Sequence, residues 1–122
     1  MLTLLMASLL IGSQTKVAPY KHKIQTNFVV TAYAPHDLGV GKITSTGHRV
    51  KRGTIAVDPR YIPYGSKIYV PGYGWGVADD CGGAIKRKHI DVYLSSRHSA
   101  SRWGRKFLNI IVITKKKSRL FR

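Results

Sequence analysis

The apolar residues of this chain come in short runs, rich in β-branched and aromatic side chains, and Gly or Pro breaks nearly every interval between them. Phe28-Val29-Val30-Thr31-Ala32-Tyr33 is the first, stopped at Pro35. Thr54-Ile55-Ala56-Val57 and Lys67-Ile68-Tyr69-Val70 follow, the latter entered through Pro63-Tyr64-Gly65. Residues 75–78, 89–94 and 107–114 complete the set. Runs this short and this β-prone read as strands. A helix is predicted only between Ser95 and Gly104, with Ser95 or Ser96 as its N-cap and Gly104 as its stop. Six short strands and one small helix predict a mainly β domain whose sheet closes, or nearly closes, into a barrel, because closure removes exposed edges.

At 122 residues there is room for one domain with a modest core. Residues 1–15 carry no charged side chain, and the apolar stretch from Leu2 to Gly12 is too short to cross a bilayer. Its length fits a signal peptide, so export or wall association is expected and a stable membrane span is not. Residues 16–27 read as a basic linker, 28–114 as the domain and 115–122 as a basic tail. A single cysteine, Cys81, excludes an internal disulfide.

Charge narrows the partners. Twenty-one Lys and Arg face five acids, leaving +16, and no acid is a glutamate. That balance favours anionic polymers without choosing among wall polymer, acidic membrane and nucleic acid. The acids themselves are confined: Asp58, Asp79, Asp80 and Asp91 lie in one central segment, and only Asp37 lies outside it. Asp58, Asp80 and Asp91 sit in Ala56-Val57-Asp58-Pro59, Asp80-Cys81-Gly82-Gly83-Ala84-Ile85-Lys86 and Ile90-Asp91-Val92-Tyr93. Carboxylates grouped among apolar residues mark a site, since desolvation and neighbouring charge can tune them.

Those motifs, with Thr31-Ala32-Tyr33, Thr44-Ser45-Thr46-Gly47, Ile62-Pro63-Tyr64-Gly65-Ser66-Lys67, Val70-Pro71-Gly72-Tyr73-Gly74 and Trp103-Gly104, resemble in order and spacing the three-aspartate (3D) domain of bacterial cell-wall proteins. The resemblance runs from about Phe28 to Ile113. It implies a six-stranded double-psi β-barrel with one or two short helices, like the catalytic barrel of membrane-bound lytic transglycosylase A. It also implies a peptidoglycan lytic transglycosylase that cleaves the MurNAc–GlcNAc bond without water and leaves 1,6-anhydro-MurNAc ends. Carried over by position, Asp91 is the catalytic acid and base, Asp80 its close companion and Asp58 the third aspartate. Asp79 has no counterpart and is expected to be a surface neighbour. Two positions depart from the family pattern: Cys81 stands where Thr is usual, and Arg87 where Gly is common.

One working carboxyl suits that chemistry. It donates a proton to the glycosidic oxygen and then accepts one from the sugar's C6 hydroxyl as the anhydro ring closes. Gly82 and Gly83 permit unusual φ/ψ and either offer a small nest of N–H groups to substrate or form a tight turn that the barrel needs. Tyr33, Tyr73 and Trp75 could face sugar rings. Thr44, Ser45 and Thr46 could bond sugar hydroxyls, and Lys86 joins the substrate-binding set. Its neighbours Arg87 and Lys88 are expected to point outward with it.

No metal-ligand spacing stands out, and no cofactor motif is present. His89-x-Asp91 lacks further ligands, and three aspartates are too few oxygens for a Ca²⁺ loop. Cys81 has no His at recognisable spacing. The serious rival is a non-catalytic module that binds wall glycan. Nucleic acid is not an expected partner, because a reader of polyanions gains nothing from carboxylates in its groove. The expected partners are peptidoglycan strands and anionic wall polymers.

Overall fold

A computed structural model describes residues 20–35, 41 and 43–115. The expected signal segment, 1–15, and the tail from 116 onward lie outside the described residues. Six strands form in chain order: β1 (Tyr20–Tyr33), β2 (Thr54–Ala56), β3 (Lys67–Val70), β4 (Gly74–Asp80), β5 (His89–Tyr93) and β6 (Lys106–Lys115). They close into a barrel with the order β1-β5-β2-β4-β3-β6. β1 pairs parallel with β5, and β2 parallel with β4; the other neighbours are antiparallel.

Alternation places the core. In β5, Ile90 and Val92 are fully buried while His89, Asp91 and Tyr93 are half-buried on the opposite side. Phe28, Val30, Ile55, Ile68, Val70, Ala78, Ile110 and Val112 point inward with them and fill the barrel. Removing such a side chain, as in Ile90→Ala, typically costs about 2–5 kcal/mol, because the wall around it relaxes only partly. Gly76 allows β2 and β4 to approach: a Cβ there would meet Ile55 Cδ1 at 2.5 Å and the Gly53 carbonyl at 2.7 Å.

The helix α1 (Arg97–Trp103) forms where the sequence places it, and it is the one helix among the described residues. Ser96 caps it by accepting from the Ser99 N–H, and Gly104 ends it at φ 69°. Trp103 ties it to the barrel, its Nε1 donating to the Val30 carbonyl at 3.1 Å. The ammonium of Lys106 lies 3.9 Å from the same ring's centre.

One boundary differs from expectation. Residues 20–27, read as linker, belong to β1 and pair antiparallel with β6 from Tyr20↔Lys115 to Gln25↔Ile110. A bulge between Gln25 and Phe28, with Asn27 at φ 54°, joins this ribbon to the barrel wall. The ribbon is held by backbone pairing and stays exposed, so it leaves no apolar alternation in the sequence.

Candidate functional site

The outer faces of β1, β5, β2 and β4 carry one polar row. Thr31 is in register with Asp91, Asp91 with Ala56, and Ala56 with Asp80. Asp80 and Asp91 therefore stand two strands apart, roughly 9–10 Å between their Cα atoms at ordinary strand spacing. A register shift in the β2–β4 ladder creates this arrangement. Ile55 pairs with Ala78, but Ala56 pairs with Asp80, so the extra residue, Asp79, is skipped.

Each carboxylate has a distinct setting. Thr31 Oγ1 lies 2.9 Å from Asp91 Oδ1 and 2.8 Å from His89 Nε2. Asp80 Oδ1 accepts from Ser45 Oγ at 2.8 Å, the Cys81 N–H at 2.9 Å and the Ser45 N–H at 3.1 Å. The Tyr33 hydroxyl points at Asp80 Oδ2 from 3.5 Å, a long contact. Burial, and then the negative charges of Asp80 and Asp91, push the Tyr33 phenol far above its ordinary range, so it stays a neutral donor between them. Its ring packs edge-on against Tyr93, with Ala56 and Ile85 beneath.

Asp58 is different. Its side chain is 2% exposed. Oδ1 accepts from the Arg60 N–H and Nε, both at 3.1 Å, and Oδ2 from Arg60 Nη2 at 3.0 Å and the Arg87 N–H at 2.9 Å. The Arg60 guanidinium, then the Arg87 N–H, hold this carboxyl well below the usual range against the opposing effect of burial. With four donors on two oxygens, Asp58 is a clamp joining the turn after β2 to the 81–88 loop. It offers substrate no open oxygen.

Asp79 is not the surface bystander expected. Its side chain is 14% exposed. It accepts from Thr46 Oγ1 at very short range, approaches His48 Nδ1 at 2.8 Å and accepts from Thr44 Oγ1 at 3.4 Å. Burial raises its proton affinity, but these hydrogen bonds and the His48 charge together lower it below the ordinary value. Consecutive aspartates thus fasten one loop from two sides: Asp80 takes Ser45, and Asp79 takes Thr44, Thr46 and His48. A run of hydroxyls facing two acids was the signal available in the sequence.

The remaining predicted site residues fall as follows. Neither Gly82 nor Gly83 has positive φ. Gly82 starts a turn, the other of the two readings, its carbonyl accepting from the Ile85 N–H at 3.0 Å. The left-handed residue of that loop is Arg87, at φ 58°, where the family pattern has Gly. Its N–H is the one given to Asp58. Cys81 keeps a polar contact despite replacing Thr, with Sγ 3.1 Å from Ser45 Oγ. Lys86 is exposed. Thr46 spends its hydroxyl on Asp79. Tyr73 is a core residue, donating to the Tyr93 carbonyl and accepting from the Gly53 N–H.

A groove lined in part by Thr46 and His48 of the 44–48 loop includes neither Asp80 nor Asp91 in its lining. It encloses about 1240 Å³, and its lining includes Arg49, Lys51, Arg52, Lys67, Tyr64 and Trp75. Trp75 is 54% exposed, braced edge-on by Tyr69. Of the three aromatics considered for sugar contact, it alone presents an open ring. Among the described residues, no group of His, Cys or acids could hold a metal ion, and no helix is long and apolar enough to cross a membrane.

Comparison with known proteins agrees with this architecture. The chain is 46% identical over 87 residues to the cell wall-binding protein YocH of Bacillus subtilis (strain 168), covering 68% of this chain and 30% of that protein. It is 44% identical over 87 residues to the putative cell wall shaping protein YabE of the same organism, covering 68% of this chain and 21% of that protein. The chain therefore spans less than a third of either relative. Among solved structures, an apo form of an alanine variant of Escherichia coli lytic transglycosylase MltA superposes with a TM-score of 0.51 at 22% identity, covering 66% of this chain and 30% of that one. That likeness shows the fold, an MltA-like double-psi β-barrel. The 3D domain matches residues 53–114, half of the chain and all three motif aspartates, and the protein belongs to the 3D domain family.

Proposed function

We propose that this chain binds the glycan of the bacterial cell wall, outside the cell. The glycan lies along the Thr31–Asp91–Ala56–Asp80 face, and its anionic groups sit in the adjoining basic groove. One observation carries the reading: a row of oriented polar groups and an aromatic, cation-lined groove share a single loop as their common wall. Trp75 offers an apolar ring for a sugar, and Arg49, Lys51 and Lys67 offer charge for carboxylate or phosphate. The names of the two Bacillus relatives support it. Co-sedimentation with purified sacculi tests it. The protein should pellet with wall at low salt and less so at physiological salt, as screened charge attraction requires. Failure to pellet at low salt would remove the proposal.

A second reading is cleavage of that glycan, favoured by the setting of Asp91. Its carboxyl lies on the outer face, half-buried, beside Thr31 and across Ala56 from Asp80. In this mechanism Asp91 gives its proton to the glycosidic oxygen as the bond to the anomeric carbon breaks. The C6 hydroxyl of the same sugar attacks that carbon and returns its proton to Asp91. No water is consumed, and a 1,6-anhydro end results. Asp80, held by three donors to one oxygen, places negative charge near the cationic sugar of the transition state. Asp58 acts at a distance by fixing the 81–88 loop. Digestion of purified peptidoglycan, followed by mass detection of anhydro-muropeptides, separates cutting from binding.

A further inference from the structure

The basic groove is built in strips. Trp75 and Val77, both exposed on the outer face of β4, give it an apolar strip. β4 lies between β2 and β3 in the barrel. The turn before β2 brings Arg49, Lys51 and Arg52 to one side of that strip, and β3 brings Lys67, in register with Val77, to the other. Among the described residues the ion pairs are His48 with Asp79 and Arg60 with Asp58, so none of these cations is matched by an acid there. Asp79, which also lines the groove, is taken up by Thr46 and His48.

Arg52 is the cation with a fixed place. Its Cζ lies 4.2 Å from the centre of the Tyr73 ring, and its Nη2 donates to the Tyr73 carbonyl at 2.8 Å. Tyr73 is itself buried, its hydroxyl accepting from the Gly53 N–H and donating to the Tyr93 carbonyl. The guanidinium is therefore braced on a core residue while staying exposed at the groove. Much of its side-chain freedom is lost before any ligand arrives, which favours binding. A lysine attracts an anion as a point charge, whereas a braced guanidinium selects by geometry, its fork matching two oxygens of one group.

The order of strips separates phosphate from carboxylate. In a phosphodiester polymer the charge lies in the main chain, and an uncharged polyol or sugar stands between successive charges. That alternation fits cations on both sides of an apolar strip. The carboxylates of peptidoglycan hang on branches, off the line of the sugars. Nucleic acid shares the charged main chain, but Val77 makes the strip partly aliphatic. Such a strip suits the C–H faces of a polyol or sugar better than stacked bases.

We propose that the groove is a separate subsite for a phosphodiester-linked polyol or sugar polymer of the wall, with Arg52 gripping a main-chain phosphate. Lys51 and Lys67 hold the phosphates beside it, and Trp75 covers the carbon unit between charges. The inference rests on the wall-binding reading for where the polymer is met. It assigns the groove a ligand other than the glycan of the acid face.

Calorimetric titration of the full chain with poly(glycerol phosphate) tests it. Polygalacturonate supplies a carboxylate polymer and a single-stranded oligonucleotide supplies nucleic acid. At matched charge and salt, the parent should bind poly(glycerol phosphate) tighter than either by roughly tenfold. Arg52→Lys keeps the charge but loses the fork and the ring contact, and should weaken that binding by roughly tenfold. Trp75→Ala, at an exposed position away from the Tyr73 packing, should weaken it too. It keeps the test decisive if Arg52→Lys fails to fold. Parent-like affinity in both variants would overturn the proposal, as would equal or tighter binding of polygalacturonate or the oligonucleotide by the parent. Sacculi stripped of phosphate polymer keep the two readings apart. A parent that binds them but not poly(glycerol phosphate) overturns this inference and leaves glycan binding standing. A parent that binds poly(glycerol phosphate) but not the stripped sacculi upholds the subsite and rejects the glycan reading alone.

Discussion

The two surfaces that share the 44–48 loop handle charge in different ways. On the β1-β5-β2-β4 face, polar groups are joined to one another. Thr31 is within hydrogen-bond distance of both Asp91 and His89, Asp80 takes three donors on one oxygen, and Tyr33 is a buried neutral donor between the acids. In the groove, exposed Arg49, Lys51 and Lys67 share the lining with an open tryptophan ring. The first surface is preorganised and suits the handling of a proton or the orientation of a sugar. The second is long-ranged and salt-sensitive, which suits capture of a polymer. Adhesion and chemistry can therefore be separated by mutation.

The largest separation is expected from Asp91→Asn. If the face cuts glycan, release of anhydro-muropeptides should fall by roughly 10²–10⁴-fold, the usual worth of a general acid and base. Sacculus binding should survive, because the groove is untouched. Loss of binding together with turnover would show that the two surfaces are not independent.

Reversing the groove charges, as Arg49→Glu with Lys51→Glu and Lys67→Glu, should weaken sacculus binding by roughly tenfold at low salt and flatten its salt dependence. Any residual cutting of soluble glycan fragments should persist. Equal binding by the variant and the parent would relocate adhesion to the acid face.

Asp58→Asn probes the support beneath both. Losing the charge opposite Arg60 and weakening the tie to the Arg87 N–H should lower Tm by roughly 5 °C or more in a domain this size. The pH dependence has a definite sign. The folded-state proton affinity of Asp58 lies below its ordinary 3.8, so its contribution is complete above that value and is lost as pH falls further below it. Thermal melts from neutral pH down to acid should show the parent losing stability there and the variant losing less.

The smallest effect is expected from Arg87→Gly. A non-glycine residue at positive φ costs about 1–2 kcal/mol, and glycine gives back part of that through unfolded-chain entropy. A net gain of up to ~1 kcal/mol in denaturant melts should follow, with the Arg87 N–H bond to Asp58 retained. A loss of stability would mean that the arginine side chain contributes more than its backbone strain removes.

The sequence by itself determined the barrel class and the places of five strands, the helix and the barrel part of β1. The signals were β-branched runs, Gly and Pro breaks, and the Ser96 and Gly104 caps, all written within a few residues of where they act. It also marked Asp58, Asp80 and Asp91 as a group. Only the tertiary structure decided what each aspartate does. Asp80 and Asp79 are adjacent in the chain, and a register shift between β2 and β4 gives one to the acid face and the other to the loop and groove. Asp58 becomes a clamp because the backbone of Arg87, twenty-nine residues away, arrives at its second oxygen. Residues 20–27 become a strand because β6 is there to pair with them. Strand register and loop docking depend on partners distant in sequence, and no local pattern of residues encodes them.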